Sequence, residues 1–311
     1  MSTSVCVVGS IHMDLVVHAQ RFARPGETLL GGAFDMHPGG KGANQAVAAS
    51  RMGAQVSLVG CVGEDDWGSK MRGVLTAEGV DIQRVRTCEK SHTGVGVVTV
   101  VADGANTIVV ASGANLRCSP EDVDNAAGAI GDADVLILQA ELPLETNLRA
   151  MEIARNAGTR ILFNAAPAED LSPDVLSGVD LLVVNRGEAA ALVGDDTGEV
   201  SPKGLARRLA SFGPERVVVT LGAEGAVHFD GEDMRTFEAF DVECVDATGS
   251  GDAFVGALAT LRAEGVPSKE AVKAACAAGA LAATRAGAIA SLPTREEVEE
   301  LLGSSCRARG N

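Results

Sequence analysis

Short runs rich in valine, isoleucine and leucine recur along this chain, and Ala-rich stretches with helical spacing separate them. The runs at 5–9, 56–60, 135–138, 160–163, 181–184 and 217–220 are predominantly apolar at successive positions. A strand alternates its side chains between two faces, so such runs need apolar cover on both sides. Helical patterns near 42–52, 66–78, 119–130, 145–157, 186–193 and 201–211 can supply that cover. The expected fold is therefore α/β, three-layered α/β/α, around a mostly parallel central sheet. Ligands in such sheets lie beyond the carboxyl ends of the strands. Two stretches depart from the pattern: 14–36 and 93–111 read as strands without intervening helices, interrupted by Gly31, Gly32, Gly94 and Gly96. A chain of 311 residues suffices for one large α/β domain or two small ones.

The run Val245-Asp246-Ala247-Thr248-Gly249-Ser250-Gly251-Asp252-Ala253-Phe254 lies where a strand should end and a helix begin. Phe254, Val255, Leu258 and Leu261 follow at helical spacing, which puts Asp252 in the first turn. Glycines at a helix entry expose several N–H groups at its positive end, an anion site that needs no lysine. An acid inside that site would repel a phosphate. It is accounted for either as a cap, since aspartate favours a first helical turn, or as a general base for a hydroxyl that attacks a phosphoryl group.

The run Pro38-Gly39-Gly40-Lys41-Gly42-Ala43-Asn44-Gln45-Ala46 repeats the design, a Gly-rich turn feeding an Ala-rich helix. It is not a nucleotide P-loop, because Gly42 stands where serine or threonine should follow Lys41. Bare backbone, one ammonium and the Asn44 amide suit close approach to a polyhydroxylated ligand.

Net charge is −16, and aromatic residues make up only 3%, with no tyrosine. Tracking of a phosphate backbone and stacking on bases are both poorly served, so no nucleic-acid partner is expected. The acidity instead calls for a cation beside any anionic nucleotide. Seven cysteines are scattered and never spaced Cys-x-x-Cys, which argues against a metal cluster or a disulfide framework and fits a reducing cytoplasm. The N-terminus runs almost directly into a strand, without a basic and then apolar leader. No apolar run approaches about 18 residues, so no membrane span is expected.

Both Gly-rich runs resemble the ribokinase family of carbohydrate kinases, the PfkB-type sugar kinases. The likeness extends over nearly the whole chain. Val7-Val8-Gly9-Ser10-Ile11-His12-Met13-Asp14 is similar to the family's first strand and its Gly-Ser-x-Asn-x-Asp motif, with histidine in place of asparagine. Pro25-Gly26-Glu27-Thr28, Gly113-Ala114-Asn115, Gln139-Ala140-Glu141, Asn164-Ala165-Ala166-Pro167-Ala168 and Asn185-Arg186-Gly187-Glu188 follow in family order. Thr220-Leu221-Gly222-Ala223-Glu224-Gly225 and Thr284-Arg285-Ala286-Gly287-Ala288 complete the set.

The resemblance implies a single ribokinase-like domain over 1–311, with the two strand-rich stretches forming a small β lid over the sugar, shared across a homodimer. It implies that Asp252 is the base for a sugar's primary hydroxyl and that Gly249, Ser250 and Gly251 form the anion hole. His12, Asp14, Gly39, Gly40, Lys41, Asn44 and Glu141 would bind the sugar. Asn185 and Glu188 would lie near Mg²⁺ and the phosphates, although the same pair reads as a helix capping box. Thr220, Leu221, Gly222, Ala223, Glu224 and Gly225 would receive ATP, with Gly251, and Cys276 would face the adenine between aliphatic side chains. A K⁺ site would use Asp246, Thr248, Ala282, Arg285, Gly287 and Ser291, several through carbonyls alone. His12, two residues from Asp14, is expected to protonate within the physiological range. The remaining histidines have no metal-ligand spacing.

The expected activity is ATP-dependent phosphorylation of a small sugar, with D-ribose to D-ribose 5-phosphate as the single choice. A kinase of deoxyribose, another pentose or hexose, or a nucleoside would carry the same catalytic residues. A dinucleotide oxidoreductase would need Gly-x-Gly-x-x-Gly after the first strand, and Gly9-Ser10-Ile11-His12 does not provide it. A non-catalytic sugar-binding or regulatory protein would be expected to lose Asp252 or its glycines, and both are intact.

Overall fold

The computed structural model describes residues 3–102, 105–168 and 171–308. Residues 1–2, 103–104, 169–170 and 309–311, within the expected single domain and in part within the second lid stretch, lie outside the described residues. Nine strands form one sheet in the order Met234–Phe237, Ala226–Phe229, Arg216–Thr220, Leu181–Asn185, Arg160–Asn164, Val135–Gln139, Ser4–Val8, Gln55–Gly63, Val80–Cys88. Neighbours are parallel except at one edge, where Ala226–Phe229 runs antiparallel to both of its partners. The six expected runs all lie in this sheet. Along Ser4–Val8, Val5 and Val7 enter one core while Cys6 and Val8 enter the other. Helices close both faces, as apolar residues at consecutive positions require.

One expectation needs correction. The helix near 119–130 is two short helices, Pro120–Asp124 and Ala127–Gly131, parted at Asn125 and Ala126. Aspartate and asparagine bond readily to nearby backbone and end helices. The polar stretch after Leu302 continues a helix, Arg295–Ala308.

The first strand, Ser4–Val8, is flanked by Gln55–Gly63 on one side and Val135–Gln139 on the other. The chain thus leaves its first strand in one direction and later returns to its other side, which opens a crevice beyond the carboxyl ends. Above that crevice is a separate four-stranded sheet in the order Phe34–Gly39, His12–His18, Gly94–Val100, Asn106–Ala111. Its strands arise from the two expected lid stretches, but residues 19–33 between the first two carry no strand.

Helices Lys41–Arg51 and Ser250–Ala263 lie side by side on one face. A Cβ on Gly256 would fall 2.8 Å from the Ala49 amide nitrogen, closer than real contacts allow. Glycine is therefore what permits this approach, and with it the two first turns meet.

Candidate active site

Asp252 sits in the first turn of helix Ser250–Ala263, behind Gly249, whose φ of 79° is left-handed and favours glycine. Its side chain is buried, with both oxygens held: Asn44 Nδ2 donates to Oδ2 and Gln45 Nε2 to Oδ1, each at 2.8 Å. Burial raises the Asp252 pKa, while Lys41 and these two donors oppose the rise. Burial would likewise lower the Lys41 pKa, but Asp252, Glu141 and Glu188 together lift it, so the ammonium stays charged.

Ser10 organises the start of helix Lys41–Arg51. Its carbonyl accepts from the Ala43 amide at 2.9 Å, its hydroxyl accepts from the Gly42 amide at 3.3 Å, and that hydroxyl donates to the Glu141 carboxylate. Glu141 also accepts from the Lys41 amide at 3.2 Å, a carboxylate at the positive end of a helix.

His12 and Asp14 share one face of strand His12–His18, two residues apart. They pair in register with Gly94 and Gly96, and a Cβ on either glycine would collide with the His12 ring or the Asp14 carboxylate. Met13, between them, is fully buried in the core. His12 is 3% exposed. Burial lowers its pKa against the pull of Glu141, so the expected protonated imidazole is corrected to a neutral one. Titration near neutrality falls to Asp14 instead, raised to about 6 by burial and by Glu141 and Asp252.

Three buried polar atoms at these positions have no hydrogen-bond partner: His12 Nε2, Asn44 Oδ1 and Ser250 Oγ. Unsatisfied buried groups are costly and call for a ligand or water.

A cavity of about 410 Å³ opens beside Gly251, lined by Thr220, Gly222, Ala223, Gly225, Ser250 and Cys276 among others. A Cβ on Gly251 would meet nothing within 4 Å. The Ser250 amide, expected in the anion hole, donates to the Ala247 carbonyl at 3.2 Å instead. Leu221 does not line the cavity but packs against the core, and the exposed Glu224 reaches Arg186 at 3.9 Å. The lining is less purely aliphatic than expected, since Phe240 and Phe254 contribute beside Gly279, Ala280 and Ala283. Burial pushes the Cys276 thiol up to about 12.

Asn185 and Glu188 form the capping box of helix Arg186–Val193, each side chain accepting the other's amide at 2.8 Å. Asp246 crosses between two loops, accepting from the Thr248 and Gly287 amides at 2.9 Å each. Burial would raise its pKa, but these bonds hold it below the usual carboxylate range. Ser291 donates to the Ala288 carbonyl at 2.8 Å in the same loop. The Arg285 side chain turns away to pair with Glu297, and Ala282 closes helix Ser268–Ala283 with its carbonyl.

Residues 2–295 match the family model described as pfkB family carbohydrate kinase. The chain belongs to the pfkB family of carbohydrate kinases. Over 306 residues it is 38% identical to a ribokinase of Haemophilus influenzae, with 97% of this chain and 99% of the relative covered. A solved Thermotoga maritima ribokinase superposes with a TM-score of 0.88 at 33% identity, covering 97% of this chain and 99% of that one. Arabidopsis thaliana ribokinase, complexed with ribose and ATP, gives 0.88 at 30% identity with the same coverages. The protein is thus an enzyme, an ATP-dependent sugar phosphotransferase. Among the described residues no helix is long and apolar enough to cross a membrane.

Sequence reasoning missed several residues that shape this carbohydrate kinase's site. Gln45 bonds Asp252 directly, and Asn115 clamps the Ile11 backbone at both its N–H and its carbonyl, fixing the strand entry beside His12. Both stand in runs that resemble the family's, but nothing in those runs shows what the two side chains bond. Spacing also hid a thiol cluster, since Cys61, Cys118 and Asp122 offer ligand atoms within 4.8 Å of one another. Asp122 is already bonded to the Arg86 guanidinium, whose charge disfavours a cation there.

Proposed function

We propose that this enzyme phosphorylates D-ribose at its primary hydroxyl, using ATP and yielding D-ribose 5-phosphate and ADP. The observation that carries the reading is Asp252, a carboxylate buried in a helix's first turn, bonded to Asn44, whose Oδ1 lacks a partner, and following Ser250 and Gly251, which line the open cavity. The sugar lies among His12, Asp14, Gly39, Gly40, Lys41, Asn44 and Glu141. Asp14 and Glu141 accept from its hydroxyls, and Asn44 Oδ1 and His12 Nε2 find in it the partners they lack. Asp252 takes the proton of the primary hydroxyl as that oxygen bonds to the γ-phosphorus. The bond to the β–γ bridging oxygen breaks, and ADP leaves with its electron pair. The Gly249 and Gly251 amides, the Ser250 hydroxyl and Lys41 offset the charge on the transferring group.

ATP occupies the cavity with its base toward Cys276 and its phosphates toward Gly251. Mg²⁺ fits beside Glu188, a carboxylate whose pKa burial raises and which uses one oxygen for its cap. Bound there through water, it would neutralise the phosphates. K⁺ fits the loop of Asp246, Thr248, Ala282, Arg285, Gly287 and Ser291, where carbonyls and one ionised carboxylate suit a large, weakly hydrated cation. The four-stranded sheet is a lid of the same single domain. Its apolar residues exposed on one face, Phe34 at 56%, Val97 at 48% and Val109 at 71%, favour a homodimer through that face. Cys6, Cys61, Cys88, Cys118, Cys244 and Cys276 are free, which favours the cytoplasm.

ADP release measured over ribose, 2-deoxyribose, arabinose, xylose, hexoses and nucleosides tests the reading. Ribose should give the highest kcat/KM, and a preference for any other acceptor would displace it. Light scattering in solution should give twice the chain mass.

A further inference from the structure

Behind Asp252 lies a chain of buried amides whose direction is fixed from one end. The Val183 carbonyl can only accept, so Asn164 presents its NH₂ there, at 3.0 Å, and its oxygen toward Gln45. Gln45 must then offer its NH₂ to Asn164 Oδ1, at 2.9 Å, and its own oxygen to Gln139, whose Nε2 donates at 2.7 Å. An amide NH₂ carries two hydrogens. One goes to Asn164, and the other goes to Asp252 Oδ1 at 2.8 Å. Turning the Gln45 amide over would set its oxygen against the carboxylate and against Asn164 Oδ1 at once. Gln45 and Gln139 are both fully buried, so water cannot repair such an inversion.

We propose that Gln45 is a positioning residue for phosphoryl transfer: oriented by Val183 through Asn164, it pins Asp252 Oδ1 and leaves Oδ2, beside Asn44, to receive the substrate's proton. The proposal rests on the reading of Asp252 as the base. Gln45 touches no ligand and acts only through the carboxylate. A donated hydrogen bond also favours the ionised form, which is the form a base requires. The charged groups that bear on Asp252 are Lys41, from helix Lys41–Arg51; Glu141, after strand Val135–Gln139; Glu188, from helix Arg186–Val193; and Asp14, from strand His12–His18. Lys41 alone favours ionisation, so the neutral donors carry much of the task.

The test compares wild type, Gln45→Met, Gln139→Met and Asp252→Asn in the full-length enzyme. It measures kcat against pH at saturating ribose and ATP, both KM values, and Tm. Methionine keeps the side chain's length and removes its hydrogen bonds. Gln45→Met should lower kcat at pH 7 by about tenfold or more. The acid limb of its kcat profile should move up by about one pH unit, with both KM values within about threefold. Gln139→Met should move the limb in the same direction but less, because Asn164 still orients Gln45; it serves as the test if Gln45→Met does not fold. An acid limb left in place in the folded variant, with any loss following Tm, would reduce Gln45 to packing and overturn the proposal. An inactive Asp252→Asn beside an unmoved Gln45→Met limb overturns the positioning role alone. An active Asp252→Asn overturns the reading on which it rests.

Discussion

Asn44 Nδ2 donates to Asp252 Oδ2 at 2.8 Å across 208 residues of sequence, joining the first turns of two helices. The bond exists because helices Lys41–Arg51 and Ser250–Ala263 pack closely enough for their N-termini to coincide, and Gly256 against Ala48 and Ala49 sets that closeness. Two positive helix ends are thus turned on one buried carboxylate.

Gly256→Val therefore tests the scaffold. The added side chain forces the helices apart, which should cost about 1–3 kcal/mol of stability by denaturant titration. At temperatures where the variant remains folded, kcat should still fall, because Asn44 and Gln45 recede from Asp252. Full activity in a destabilised variant would mean that this packing does not set the site.

Asp14 should govern the acid side of sugar binding. With its pKa raised to about 6, chiefly by burial, the accepting carboxylate is lost as pH falls below that value, and the KM for sugar should rise. The effect on stability has the opposite sense. A carboxyl whose folded value exceeds its unfolded one contributes stability at low pH that is lost as pH rises through about 6. Asp14→Asn should therefore flatten the KM profile while raising KM at pH 8. It should also raise the unfolding free energy at pH 8 but not at pH 4, by an increment on the order of 1–3 kcal/mol. A KM profile that keeps its acid limb in the variant would assign that limb elsewhere.

The legibility of this chain was uneven, for physical reasons. Strands buried on both faces announce themselves by composition, and all six expected runs lie in the main sheet. The edge strand Val80–Cys88 was missed because its half-exposed sequence mixes Asp81, Gln83, Arg84 and Arg86 with the apolar residues. Asp252, Lys41 and Asn44 were legible because glycines beside helix starts mark them. Gln45, Gln139 and Asn164 stood in the quoted runs, but their role was not legible, because their contacts join three elements that only the folded sheet brings together. Gly94 and Gly96 read as interruptions of a strand, yet they make room for His12 and Asp14 in the neighbouring one.

His12 is neutral and buried, so it should act through shape and a single unpaired nitrogen rather than through charge. His12→Asn should shift discrimination among ribose, 2-deoxyribose, arabinose and xylose at one or two hydroxyls, by about 1–3 kcal/mol in kcat/KM for each altered bond. Between pH 6.5 and 8 the preference order of wild type should not change with pH. A preference order identical in wild type and variant would remove His12 from specificity.

Potassium should raise turnover above sodium at equal ionic strength and saturating Mg²⁺. Asp246, whose carboxylate ties the Thr248 and Gly287 amides together, should be necessary for the difference. Asp246→Asn should lower activity and bring the two salts to the same rate. Equal rates in wild type would contradict the cation site.

The central claim is that Asp252 is a base and not a cap, and single-turnover phosphorylation of ribose by Asp252→Asn tests it most directly. Asparagine keeps the size and the first-turn capping capacity while losing the ability to take a proton. The expected result is a rate lower by at least about a hundredfold, with the affinities for ribose and ATP within a few fold of wild type. A variant that turns over at close to the wild-type rate would contradict it and leave Asp252 the structural role of tying its helix to Asn44 and Gln45.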